Sequence, residues 1–150
     1  HAFGLSVHGK AAQLFTACYG KYLMKNILVV DDNKDILNAL QLGLGGYLKD
    51  CTILTALNGQ QAADILKSTI IDLILTDLDL PVQNGYRFIE DSRRAHGLVP
   101  ICVMTGNCTA ADRERLQALG VDKILEKPFQ VEHLSNLIAR ELGLERRASA

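Results

Sequence analysis

Asp31 and Asp32 close the apolar run that starts at Ile27, and Asp77 closes another that starts at Leu73. Thr105 ends a third run, and Lys127 stands before Pro128 just past a fourth. Three carboxylates gathered at one point repel and raise one another's pKa unless a cation neutralises them, and an all-oxygen set with room for water suits Mg²⁺. A lysine ammonium and a threonine hydroxyl suit a tetrahedral anion beside such an ion. The chemistry this set supports is phosphoryl transfer. Asp77 is the nucleophile, while the metal and Lys127 screen the phosphoryl oxygens and Thr105 donates a hydrogen bond. Each residue alone has a plainer use: Asp31-Asp32-Asn33 is a good helix cap, Thr105 a strand-end hydroxyl, Lys127 a solvated loop charge. Their joint placement at strand ends argues for a site.

The elements that must position them are legible from Asn26 onward, where short apolar runs alternate with helical patterns, the mark of a parallel sheet built from βα units. Strands are expected at Ile27 to Asp31, Cys51 to Thr55, Leu73 to Asp77, Val99 to Thr105 and Lys123 to Glu126. Their runs do not alternate with polar residues, which fits a sheet covered on both faces. Helices are expected at Lys34 to Leu44, Gln60 to Lys67, Gly85 to Arg94, Ala110 to Leu119 and Val131 to Leu142. Asn33, Asn58, Asn84 and Thr109 stand at their starts, with Gly45-Gly46 and Gly120 at ends. In the last helix Val131, Leu134, Leu137, Ile138 and Leu142 make the inward stripe. Side chains at the carboxyl ends of parallel strands share one crevice, so all five polar residues fall in it.

Composition narrows the function classes. With 150 residues and 48% hydrophobic content the chain can bury one core without disulfides. Sixteen basic residues against 17 acidic ones leave no electrostatic footprint for direct nucleic-acid or anionic-membrane binding. The four cysteines lack zinc or redox spacing and read as reduced thiols, which places the protein in the cytoplasm. No apolar run approaches the ~20 residues of a membrane span. Residues 1–23 read as an appended extension, with a short helix at Ala11 to Tyr22 compatible with the spacing of Leu14, Phe15, Cys18 and Tyr22. Residues 24–144 read as the domain and 145–150 as a tail, in which Arg146-Arg147-Ala148-Ser149 resembles a basic kinase-substrate stretch but is assigned no role.

The segments Ile27-Leu28-Val29-Val30-Asp31-Asp32, Asp72 to Pro81 with the Asn84-Gly85 turn, and Glu126-Lys127-Pro128-Phe129 resemble the receiver domains of two-component response regulators, in order, over Met24 to about Leu144. The resemblance implies an α/β fold, a doubly wound five-stranded parallel sheet of order 2-1-3-4-5 like that of flavodoxin. It implies phosphorylation at Asp77, and Mg²⁺ held by Asp32, Asp77 and the backbone carbonyl of Asp79, with Asp31 acting chiefly through water. Thr105 and Lys127 are then the phosphoryl contacts. It also implies a sensor histidine kinase or phosphotransfer protein as donor and a downstream protein or output domain as recipient. Dimerisation on activation is common in the family. One position departs from the pattern: where the family often carries an aromatic residue that swings inward with the threonine, this chain has Ile124.

Two other classes compete. Asp77-Leu78-Asp79 resembles the two-aspartate motif of haloacid-dehalogenase-type phosphatases, although there the motif follows the first strand and the acidic pair comes late. A receiver-like protein-binding module without phosphorylation has no chemical need for the whole set Asp31, Asp32, Asp77, Thr105 and Lys127.

Overall fold

The computed structural model describes residues 24–121 and 123–148; the expected helix at Ala11 to Tyr22 lies outside them. Five strands alternate with five helices: β1 (Lys25–Val30), α1 (Lys34–Tyr47), β2 (Cys51–Ala56), α2 (Gly59–Ser68), β3 (Leu73–Asp77), α3 (Gly85–His96), β4 (Ile101–Thr105), α4 (Ala110–Ala118), β5 (Lys123–Glu126) and α5 (Val131–Leu142). All strand pairs are parallel, in the order β2-β1-β3-β4-β5. This is the expected doubly wound sheet, with its reversal of winding between β1 and β3.

Successive strand residues point to opposite faces, and the core divides accordingly. Ile27, Val29, Leu73, Leu75, Cys102 and Met104 face a layer completed by Leu37, Leu40 and Leu44 of α1 and Leu134 and Ile138 of α5. Leu28, Val30, Ile74, Ile101 and Val103 face the other, with Ala62 and Leu66 of α2, Phe88 and Ile89 of α3 and Leu116 of α4. β3 and β4 are buried along their whole length, the burial that uninterrupted apolar strands predict.

Helix starts follow the expected caps. The Asn33, Asn58 and Asn84 side chains each accept a backbone amide, and Thr109 forms a reciprocal capping box with Asp112. Several boundaries shift by a few residues, and two of the shifts have a visible cause. β4 begins at Ile101 instead of Val99, where Pro100 offers its carbonyl to Ile74 but has no amide hydrogen for the ladder. α1 runs through Gly45-Gly46 to Tyr47 because a distant segment completes its end: Arg147 Nε donates to the carbonyls of Gly45 and Leu48, and the Arg147 amide to Tyr47. Residues 145–147 are thus hydrogen-bonded to the α1–β2 turn, with Leu48 and Arg146 in an antiparallel bridge.

Candidate functional site

Register alone brings the polar residues together. Val30 pairs with Thr76, so Asp31, the residue after β1, falls level with Asp77, and Asp77 pairs with Met104, so Thr105 lies one residue further along at the same end of the sheet. Thr105 pairs with Glu126, and Lys127 follows it, its amide donating to the Thr105 carbonyl at 2.8 Å. Lys127 Nζ donates to Asp31 Oδ2 and to Asp77 Oδ2, both at 2.8 Å. Asp31 is 1% exposed and Asp77 8%, whereas Asp32 lies open to solvent. One carboxylate oxygen from each of Asp31, Asp32 and Asp77 lies within 4.8 Å of the others.

Backbone amides hold the two buried carboxylates from their far sides. The Asn33 amide donates to Asp31 Oδ1 and the Asp79 amide to Asp77 Oδ1. Burial works against the Lys127 charge, but its hydrogen bonds to Asp31 and Asp77, and their charges, outweigh that and raise its pKa. Three carboxylates against one ammonium leave a net negative charge that suits a divalent cation, the ligand atoms are all oxygen, and exposed Asp32 leaves room for water. The residues present therefore fit Mg²⁺.

Thr105 is 1% exposed, and its hydroxyl donates to the Asn107 carbonyl at 3.1 Å while accepting from the Asn107 amide at 3.3 Å. It ends the strand beside Asp77, and its proton is used within its own loop. Ile124 is half-buried and packs against the α2–α4 layer, as does Tyr86.

The model for the response regulator receiver domain family matches residues 27–139. The chain belongs to that family. The receiver domain is 35% identical over 124 residues to the transcriptional regulatory protein PrrA of Mycobacterium leprae, an alignment covering 83% of this chain and 51% of PrrA. It is also 35% identical over 116 residues to the sensor histidine kinase RcsC of Salmonella typhi, covering 75% of this chain and 12% of RcsC. The chain thus spans only part of the length of these curated relatives. Among solved structures, the chemotaxis response regulator CheY4 of Vibrio cholerae aligns with a TM-score of 0.72 at 26% identity, covering 79% of this chain and 99% of CheY4. A two-component response regulator from Clostridium difficile aligns at 0.74 and 26% identity, covering 80% and 97%. Receiver domains are signalling modules, and membership sets the dehalogenase-type reading aside.

Further groups brace the carboxylate cluster and its flank. An added Cβ at Gly85, the first residue of α3, would lie 2.5 Å from the Asp77 carbonyl and 2.5 Å from Leu78 Cα, so only glycine lets α3 start against the strand that ends in Asp77. The Gly85 amide donates to the Leu78 carbonyl, closing that turn. Within the same turn Val82 has φ +70°, a left-handed conformation costly for a β-branched side chain. The Asn84-Gly85 pair signalled the turn; that Gly85 packs on Asp77 itself is a tertiary fact without a local pattern. On the flank, Tyr86 Oη donates to Asp112 Oδ1 at 2.5 Å, with the Arg115 guanidinium 3.9 Å above the Tyr86 ring. Burial, then the hydrogen bond to Asp112, pushes the Tyr86 phenol up to about 12, and Tyr86 in turn holds the Asp112 carboxyl below its ordinary value.

Proposed function

We propose that this receiver domain takes a phosphoryl group onto Asp77 and thereby changes the surface it offers to a partner. The observation that carries the reading is the double ion pair of Lys127 with Asp31 and Asp77 at the mouth of a three-carboxylate cluster. Asp31, Asp32, Asp77 and the backbone carbonyl of Asp79 would hold Mg²⁺, which when bound neutralises phosphoryl oxygens. An Asp77 carboxylate oxygen attacks the phosphorus as the bond to the donor's leaving atom breaks. Lys127 stays beside the new acyl phosphate and balances its charge, and Thr105 turns its hydroxyl from Asn107 to a phosphoryl oxygen. Ile124, lacking a ring to swing, repacks little. The donor is a histidine kinase, a phosphotransfer protein or a small phosphodonor, and the recipient of the signal is a downstream protein or an output domain. The domain is assigned to residues 24–144 and to the cytoplasm. Among the described residues no helix is long and apolar enough to cross a membrane, and residues 145–147 are hydrogen-bonded to the α1–β2 turn.

Intact-protein mass after incubation with acetyl phosphate and Mg²⁺ tests this. One added phosphoryl group is expected, lost with a chelator and in Asp77→Asn. No adduct under any of these conditions would leave a protein-binding module without phosphorylation.

A further inference from the structure

Thr105 can reach a phosphoryl group on Asp77 only by giving up the Asn107 carbonyl, because its hydroxyl has a single proton to donate. The β4–α4 loop then loses its bond to the Thr105 hydroxyl, and its far end is tied down. The Thr109 amide and hydroxyl both donate to Asp112 Oδ2 at 3.0 and 2.8 Å, while Thr109 Oγ1 accepts the Asp112 amide. The other oxygen of Asp112 belongs to Tyr86 on α3. Arg115, one turn further along α4, lies over the Tyr86 ring and pairs with Glu90 of α3 at 3.5 Å. Apolar packing contributes little to the same job: among the described residues, Leu116 is the one residue of α4 that is buried. α3 itself is anchored by Gly85 against the Asp77 carbonyl.

We infer that Tyr86, Asp112 and Arg115 form a polar latch between α3 and α4 that holds the β4–α4 loop, and with it Thr105, in the resting arrangement. Tyr86 is then a positioning residue. It touches no phosphoryl group, and acts through Asp112 and Thr109 on the loop to which Thr105 is bonded. An aromatic residue at position 86 in the layer that also receives Ile124 gives this chain an aromatic control element outside the strand where Ile124 stands. A restraint present only in the resting state opposes whatever stabilises the other state, so loosening it must favour the phosphoryl-bound form.

The inference rests on the Asp77 reading, and beryllofluoride with Mg²⁺, a phosphoryl mimic, separates the two. In wild-type protein the Asn107 and Thr109 amide resonances should shift on titration. Tyr86→Phe keeps the ring and the Arg115 stack but loses the hydroxyl. It should bind beryllofluoride roughly three- to tenfold tighter, the scale of one partly solvated hydrogen bond, and its free-state Asn107 and Thr109 resonances should lie part-way toward the bound positions. Arg115→Gln, which leaves Asp112 in place, should move the same resonances in the same direction by less. Wild-type binding with unchanged affinity and unchanged resonances in both variants would overturn the latch alone. Failure of wild-type protein to bind would overturn the Asp77 reading and the latch with it.

Discussion

α5 and α4 flank the last strands of the same sheet and are fastened by different physics. α5 buries Leu134, Ser135, Ile138 and Ala139 in the layer it shares with α1. α4 puts Leu116 inward and otherwise relies on polar ties: Asp112 to Tyr86, Arg115 to Glu90, and Arg113 to Glu126 at 3.2 Å. A dispersive core contact has no alternative partner of equal quality, whereas partly solvated hydrogen bonds and surface ion pairs exchange with water at small net cost. The helix next to Thr105 is therefore the one that can be reset without disturbing the fold, and α5 belongs to the frame.

The difference predicts a graded series. Leu134→Ala, at a site with no exposure, should cost about 2–5 kcal/mol in chemical denaturation; a loss under ~1 kcal/mol would remove α5 from the frame. Gly85→Ala should cost about 1–3 kcal/mol through overpacking against the Asp77 carbonyl and slow phosphorylation by acetyl phosphate. Unchanged stability and rate would mean that α3 does not need that approach.

Asp32→Ala tests the acidic end itself. In a chelator it should stabilise the protein by about 1 kcal/mol, the scale of relieving one solvated like-charge contact. It should also lose most of the rise in Tm that Mg²⁺ gives wild type. A destabilised variant, or an undiminished Mg²⁺ response, would contradict the cluster's role.

The smallest effect concerns the latch in alkali. The Tyr86 phenol is raised from 10.0 to about 12, so the folded protein keeps a proton that the unfolded chain releases first. That contribution is fully present below pH 10 and lost as pH rises toward 12. Tyr86→Phe should flatten the alkaline fall in stability across that window, and an identical fall in both proteins would remove Tyr86 from it.

The contrast between the two helices also explains what could be read from sequence. The β1, β3 and β4 runs are apolar without alternation because both faces are covered, and the Asn and Thr caps are local bonds within one turn, so strand and helix identities were written in short windows. Asp31, Asp77, Thr105 and Lys127 were legible as strand-end residues, and register then carried them to one end of the sheet within a residue or two of each other. The extension of α1 past Gly45-Gly46 was not legible, because its carbonyls are satisfied by Arg147, a hundred residues away beyond α5. Nor was the Tyr86–Asp112 bond. The T-x-x-D spacing of Thr109 and Asp112 announces a cap, but a carboxylate's second oxygen can take any neighbour, and α3 is fixed beside it only by the folded sheet.

The most direct test of the central claim is where a phosphoryl group goes. After reaction with acetyl phosphate and Mg²⁺, peptide mapping should place the added mass on the peptide that carries Asp77, and hydroxylamine should release it, as expected of an acyl phosphate. A hydroxylamine-stable adduct, or one on a peptide lacking Asp77, would contradict the account.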